Sequence, residues 1–157
     1  MLKYLQNLYM DGITHVIFTG PIDEYFKDCG LEKLEYRSID FGEYIYKDMN
    51  FFQPNSVVNY PNEEQFTRIV EYKHFLNQNS PHTIIVTEKT KDNGEPYYPV
   101  PNKKNLELYE KYKKLAEKEE KNNVYFLGRL ANYKYFNMDA AIENALDFFN
   151  KKLFFSL

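Results

Sequence analysis

Alternation of polar and apolar residues runs through the stretch from residue 34 to residue 89 and limits the folds open to this chain. Successive side chains of a β-strand point to opposite faces, so a period of two marks a strand with one buried face. Proline, asparagine and glycine separate the runs, as turns between antiparallel strands require. The pattern predicts an antiparallel sheet over 34–89 from the runs LEYRSIDFGEYIY (34–46), SVVNY (56–60), FTRIVEYKHF (66–75) and HTIIVTEK (82–89).

The remainder of the chain has helical spacing and shorter apolar runs. Leu108, Tyr112 and Leu115 share one helical face, with glutamate–lysine pairs on the outside, which predicts a surface helix over residues 103–121. The other predicted elements are a buried strand at 15–19, a short helix at 23–28 stopped by Gly30, a strand at 123–127, and a final helix with an apolar stripe from Met138 to Leu153. Together they predict an α+β fold in a single domain over residues 1–157.

The composition argues against several classes of function. Lysine and arginine number 20 against 23 aspartates and glutamates, and the net charge of −3 speaks against a nucleic-acid partner. The single cysteine, Cys29, cannot form an internal disulfide, and no metal-ligating motif is present, so no metal site is predicted. No signal-peptide pattern or membrane-length apolar run occurs, so we expect a cytoplasmic protein without a membrane partner.

Arg68 is the first candidate binding residue. On an alternating strand it shares a face with Phe66, Val70 and Tyr72, where a guanidinium is costly unless an anion pairs with it. Its planar fork suits a phosphate. A salt bridge to one of the many carboxylates is the alternative explanation.

The segment EPYYPV, residues 95–100, is the second candidate. Proline restricts the backbone on both sides of Tyr97 and Tyr98, so both phenols are presented with little conformational freedom left to lose. Preorganised phenols are good hydrogen-bond donors to an anion. The alternative is a rigid loop with one ring packed and the other exposed.

The segment GRLANYKYFNMD, residues 128–139, is the third candidate. A strand ends at Gly128, an arginine and two alternate tyrosines follow, and a helix begins near Asn137, which stands where an N-cap belongs. A phosphate or another electron-rich group can meet free backbone N–H groups at such a helix start. An ordinary connection between two elements is the alternative.

Six stretches of the sequence resemble, in order and approximate spacing, the C-terminal part of the UDP-galactopyranose mutase family. The resemblance covers about residues 15–150 and implies part of a flavoprotein fold. The stretches are TGPIDEYF (19–26), LEYRSIDF (34–41), SVVNYP (56–61), TRIVEYKHF (67–75), EPYYPV (95–100) and GRLANYKYFNMD (128–139).

The resemblance implies an isomerase that uses reduced FAD as a nucleophile to interconvert UDP-galactopyranose (UDP-galactose) and UDP-galactofuranose, a sugar donor for cell-surface glycans. In the matching motifs Arg68, Tyr98 and Tyr135 correspond to residues that hold the substrate diphosphate. Asn59 corresponds to a residue that lines the sugar pocket, and Asn137 replaces an acidic residue near the sugar.

The flavin contacts implied by the resemblance lie in the last motif. Gly128 and Arg129 match the flavin-contacting turn, and Met138 and Asp139, after Asn137, begin the helix whose N-terminus points at the flavin pyrimidine. Leu127 replaces one of a pair of glycines, and no GxGxxG motif occurs, so we expect this chain alone not to retain FAD.

Three functional hypotheses follow. The chain is the C-terminal piece of a mutase, inactive by itself and catalytic when joined to a separate N-terminal FAD-binding half. Alternatively, it is a module that binds UDP or a UDP-sugar without catalysis, or a decayed gene product. Strands that would pack beside the missing half leave uncovered edges, so self-association is also expected.

Overall fold

A computed structural model describes residues 15–153 of the chain. Two compact units make up the described structure: one holds residues 15–36 and 96–153, and the other holds Arg37–Glu95. The prediction of a single domain over residues 1–157 stays a prediction. The elements in chain order are β1 (Val16–Phe18), α1 (Ile22–Tyr25), β2 (Tyr36–Tyr46), β3 (Val57–Asn59), β4 (Arg68–Glu71), β5 (Thr83–Lys91), β6 (Tyr98–Pro99), α2 (Lys103–Glu119), β7 (Val124–Phe126) and α3 (Met138–Phe148).

The Arg37–Glu95 unit, which we call the sheet unit, contains the antiparallel sheet predicted for residues 34–89. Its strands lie in the order β3-β4-β5-β2, and each neighbouring pair is antiparallel. The apolar side chains Ile69, Val70, Ile85 and Val86 are buried in β4 and β5. These strands and the helices of the other unit confirm the α+β class.

Strand β4 is shorter than the alternating pattern predicts. It ends at Glu71, and Tyr72–His74 form a 3₁₀ turn closed by a hydrogen bond from the Phe75 amide to the Tyr72 carbonyl. The side chain of Glu71 is fully buried, although the alternation places it on the face opposite Val70 and Tyr72. Hydrogen bonds to this carboxylate, described below, compensate for its burial.

The other unit, which we call the helical unit, is built around α2. Leu108, Tyr112 and Ala116 of this helix are buried against Ile22, Leu34 and Tyr133. The Asn102 side chain accepts the Asn105 amide at 2.8 Å, which caps the N-terminus of α2. The surface helix predicted over 103–121 is therefore confirmed, with its last residues in a 3₁₀ turn, Glu120–Asn122.

Strands β1 and β7 form a parallel two-stranded sheet in the helical unit. Phe18 and Phe126 pack edge-to-face beneath it, beside the fully buried Val124. The sequence predicts a buried strand at 15–19, but Ile17 is 44% exposed. The reason is that the face of this small sheet that carries Ile17 and its register partner Tyr125 is covered only in part.

Helix α3 and the π-helical turn Phe149–Leu153 confirm the final helix. Phe148 packs against Tyr125 of β7, with ring centroids 5.1 Å apart. The apolar stripe lies largely in solvent, since Met138 is 85%, Ile142 61% and Leu146 59% exposed. Within the described residues, none of the helices is both long and apolar enough to cross a membrane.

Candidate functional site

Tyr98 is presented by a backbone frame that the helical unit holds at two points. The Val100 amide donates to the Glu35 carbonyl at 3.1 Å and to the Tyr133 hydroxyl at 3.2 Å. That hydroxyl also lies 2.6 Å from the Glu35 carbonyl oxygen. Tyr97 and Tyr98 are both half-buried, so the alternative of one packed and one exposed ring does not hold.

Tyr133 is a buried structural residue that the sequence analysis treats only as one of two alternate tyrosines. Its backbone has φ +46, a left-handed conformation that is rare for a residue with a side chain. Burial raises the pKa of its hydroxyl to about 12, so it stays protonated and can donate. The residue thereby anchors the frame around Tyr98.

The Gly128 turn is closed by its own hydrogen bonds. The Gly128 amide donates to Asn132 Oδ1 at 3.0 Å, and the Asn132 amide donates to the Gly128 carbonyl at 2.8 Å. Gly128 has φ +95, where glycine is strongly favoured, whereas an added Cβ would meet only the Thr19 Cβ at 4.0 Å. Backbone conformation, and not crowding, therefore requires glycine here.

Arg129 lies against the rings of Tyr98 and Tyr135. Its guanidinium carbon is 4.9 Å from the Tyr98 ring centroid and 5.0 Å from that of Tyr135. The two rings are 5.9 Å apart and inclined at 26°. Arg129 Nη2 also donates to the Phe136 carbonyl at 2.7 Å. The structure thus brings three predicted site residues into one group, which we call the tyrosine–arginine cluster.

Arg68 and Asn59 belong to the sheet unit, where they are paired across β3 and β4. Arg68 also lies opposite Glu88 of β5, and its Nε is 3.4 Å from Glu88 Oε2. Its side chain is 44% exposed. The salt bridge that the sequence analysis leaves open as an alternative is therefore formed in this structure.

Asn137, Met138 and Asp139 begin α3 as predicted, and all three are exposed. The Asn137 carbonyl accepts the Ala141 amide at 2.9 Å, but within residues 15–153 its side chain makes no capping hydrogen bond. The backbone N–H groups of the first helical turn therefore lack the usual side-chain cap.

Comparison of the sequence with known proteins places the chain in a family. A sequence model of the UDP-galactopyranose mutase family matches residues 3–135, which include Arg68, Tyr98, Arg129 and Tyr135. The chain belongs to the UDP-galactopyranose mutase family. The resemblance noted in the six sequence stretches is thereby confirmed.

Curated relatives share the mutase name. The chain is 40% identical to a UDP-galactopyranose mutase of Mycoplasma genitalium over 81% of this chain and 33% of the relative. It is 36% identical to a probable UDP-galactopyranose mutase of Klebsiella pneumoniae over 87% of this chain and 35% of the relative. It is 33% identical to a dTDP-fucopyranose mutase of Escherichia coli over 85% of this chain and 36% of the relative. The chain spans about a third of the length of these mutases.

One buried acidic group, inside the stretch TRIVEYKHF (67–75), was not predicted from the sequence. The carboxylate of Glu71 accepts the amides of Phe52 and Gln53 at 2.9 and 3.0 Å, together with the Thr83 hydroxyl. His74 Nε2 lies 3.1 Å from it. Because the Glu71 side chain has no exposed surface, we interpret it as a structural group. Among the residues described, no three His, Cys, Asp or Glu side chains are grouped so as to bind a metal.

Proposed function

We propose that this chain supplies the C-terminal part of an enzyme that interconverts UDP-galactopyranose and UDP-galactofuranose. The observation that carries the proposal is the tyrosine–arginine cluster, because two phenols beside a guanidinium are the donors that a diphosphate requires. By itself the chain is not expected to turn over, since its 157 residues contain no GxGxxG motif for FAD.

The residues of this chain would act on the substrate by binding and orientation. The hydroxyls of Tyr98 and Tyr135 would donate hydrogen bonds to the diphosphate. These hydrogen bonds would stabilise the negative charge that develops on the leaving UDP. Arg68 would contribute a second cation, and Asn59 and Asn137 would contact the sugar. The Arg68 guanidinium must then exchange its contact with Glu88 for one with a phosphate.

The residues that would hold FAD fit the cofactor in part. When bound, reduced FAD supplies the nucleophile for the anomeric carbon. The uncapped first turn of α3, at Met138 and Asp139, offers N–H groups and a helix dipole that favour negative charge on the flavin pyrimidine. The Gly128 amide does not fit, because it already donates to Asn132. Most of the cofactor site must come from elsewhere.

The parallel pair β1–β7 supports a partner that carries the FAD-binding part of a mutase. Parallel strands occur almost only in larger sheets covered on both faces. Within residues 15–153, neither strand has a second strand neighbour. Val16 and Phe18 direct their hydrogen bonds to β7, so the Ile17 backbone points away from it and offers an edge to another strand.

Complementation tests this proposal directly. We expect this chain, mixed with FAD and the part of the Mycoplasma genitalium mutase that has no match here, to form a complex that keeps the flavin through gel filtration. After reduction of the flavin, the complex should convert UDP-galactofuranose to UDP-galactopyranose. Chromatography of the two sugar nucleotides measures this conversion. Each part alone with FAD is the control.

The proposal would be abandoned if neither flavin retention nor turnover is observed with the unmatched part of the Mycoplasma genitalium mutase or with the corresponding part of the Klebsiella pneumoniae protein. Flavin retention by this chain alone would contradict the expectation that most of the cofactor site lies elsewhere.

Without a partner, we propose that the chain associates with itself through its exposed apolar surfaces. The weight-average mass in sedimentation equilibrium should rise with concentration, and Ile142→Lys should lower it, because a charge in the middle of the α3 stripe is costly to bury. Glu143→Lys, which adds positive charge at an exposed neighbouring position, is the matched control. A monomer at all concentrations would refute this proposal.

A further inference from the structure

Strand β3 carries Asn59 but has few contacts of its own to hold it in place. It is three residues long, and in the described part of the chain β4 is its one strand neighbour. None of its three side chains is fully buried. A slip of one residue against β4 would move every side chain of β3 to the opposite face of the sheet. Contacts outside the strand are therefore needed to fix the face on which Asn59 lies.

Asn59 and Arg68 lie side by side on one face of the sheet. They are register partners across β3 and β4, and directly opposite residues of antiparallel strands share a face. The Tyr60 amide donates to the Thr67 carbonyl at 2.9 Å, so the backbone of Tyr60 faces β4 and that of Asn59 faces away from it. Asn59 and Arg68 thus form a non-hydrogen-bonded pair, the kind in which the Cα atoms are about 4.5 Å apart and the side chains are closest.

The carboxamide of Gln53 joins the start of β3 to β4. Gln53 is buried, and its Nε2 lies 2.8 Å from the Asn55 carbonyl oxygen, 3.3 Å from that of Ser56 and 3.2 Å from that of Ile69. The first two carbonyls precede β3, and the third belongs to β4, next to Arg68. Because oxygen atoms surround this position, the donating nitrogen of the carboxamide must occupy it.

The backbone of Gln53 is held at the other end of β4. Its amide donates to Glu71 Oε2 at 3.0 Å, and its carbonyl oxygen lies 3.0 Å from His74 Nε2. Glu71 is the last residue of β4, and His74 ends the 3₁₀ turn that follows. Gln53 is therefore fixed relative to β4 before the chain enters β3, and its side chain sets the point at which β3 begins.

We propose that Gln53 is a positioning residue, which fixes the register of β3 so that Asn59 stands beside Arg68. The inference deepens the proposed function and rests on it for the roles of Asn59 at the sugar and Arg68 at the diphosphate. In a nucleoside diphosphate sugar these two groups are attached directly to each other. The two side chains must then be held at a fixed separation, because a small misplacement of a positioning group is costly to binding and catalysis.

Disulfide trapping on the full chain tests the register without any ligand. In a Cys29→Ser background, which removes the single native thiol, Asn59→Cys with Arg68→Cys reports the native register, since the expected Cα separation suits a disulfide. Tyr60→Cys with Arg68→Cys reports a slip of one residue, because in the native register their Cβ atoms point to opposite faces.

Gln53→Met keeps the length of the side chain but removes its N–H donors. The buried carbonyls that it served are then unsatisfied, at a cost that corresponds to at least about a tenfold change in a two-state population. We therefore expect the ratio of the slipped trapping rate to the native trapping rate to rise at least about tenfold. If Gln53→Met does not fold, Gln53→Asn keeps the carboxamide on a side chain too short to reach Ile69 and should raise the same ratio.

Two controls separate positioning from a general loss of stability. Ile85→Val removes one methylene group from the buried face of β5, so it should lower the urea midpoint while the trapping ratio stays within about twofold. Gln78→Met makes the same substitution at an exposed position and should change neither quantity. An increase in the ratio with Ile85→Val as large as that with Gln53→Met would overturn the inference.

Calorimetry on the full chain with UDP and UDP-galactose measures the consequence for the ligand. Gln53→Met should weaken binding of UDP-galactose about fivefold, near the value of one neutral hydrogen bond, and leave UDP within about twofold, because Asn59 would contact only the sugar. In an Asn59→Ala background, Gln53→Met should cause no further loss of preference for UDP-galactose, since two residues that act through one contact are not additive.

The inference is overturned if Gln53→Met leaves the trapping ratio unchanged, or if it weakens UDP and UDP-galactose equally. A trapping ratio that depends on Gln53 in a chain that binds neither ligand would support the positioning of Asn59 by Gln53 and count against the proposed function. The two proposals can therefore fail separately.

Discussion

Replacing Glu71 with alanine is expected to destabilise the sheet unit by roughly 3–5 kcal/mol, the range for removing one member of a buried charged group. The carboxylate accepts the Phe52 and Gln53 amides and the Thr83 hydroxyl, and it lies beside His74. Without it, these donors stay buried and unsatisfied. Urea unfolding followed by far-ultraviolet circular dichroism measures the loss. Glu43→Gln, an exposed carboxyl change on β2, should stay within about 0.5 kcal/mol.

The same carboxylate makes stability depend on pH. Burial alone raises the pKa of Glu71, but the hydrogen bonds from Thr83, Phe52, Gln53 and His74 outweigh it, and the pKa is lowered. A carboxyl with a lowered folded-state pKa stabilises the fold above its unfolded pKa of about 4.3, and the stabilisation is lost as pH falls through the folded value.

We therefore expect the urea midpoint of the wild type to fall with acidification below about pH 5 more steeply than that of Glu71→Gln, which cannot titrate at this position. Parallel pH profiles for the two proteins, or an alanine variant as stable as the wild type, would show that Glu71 does not organise this unit.

The second large effect is expected at Tyr112 in the helical unit. This ring is 1% exposed and packs in the core beside Leu108 and Ile22, while its hydroxyl donates to the Glu32 carbonyl at 2.7 Å. Tyr112→Ala should cost roughly 3–5 kcal/mol, because deleting a large buried ring leaves a cavity that the core cannot close.

Tyr112→Phe separates the ring from its hydroxyl and should cost only about 1 kcal/mol, the usual net value of one hydrogen bond. Burial raises the pKa of this hydroxyl to about 12, so the bond persists through neutral and mildly alkaline solution. Equal losses in the two variants, measured by urea unfolding, would mean that packing of the ring contributes little.

Part of the fold is recoverable from the sequence because it depends on neighbours along the chain. The alternation of residues 34–89 produces the antiparallel sheet, and the spacing of Leu108 and Tyr112 produces α2. The short strand β4 is the exception: its pattern predicts continued alternation, but the strand ends at Glu71, whose buried carboxylate takes its hydrogen-bond partners from distant segments.

The candidate site shows the same division. The sequence motifs identify the family and single out Arg68, Tyr98, Arg129 and Tyr135, but they do not say which side chains meet. Arg68 proves to be paired with Glu88, which is distant in sequence and adjacent only because β4 and β5 are neighbours. The pairing could not be chosen beforehand among so many carboxylates.

The sequence by itself determined the strand and helix periods, the family, and the residue types available for binding a diphosphate. Only the tertiary structure decided that Arg129 lies against both Tyr98 and Tyr135 and lacks a carboxylate among the described residues, and that Glu71 is buried. The physical reason is that periodicity is a property of adjacent residues, whereas the partner of a charge depends on which distant segments the fold brings within a few ångströms of it.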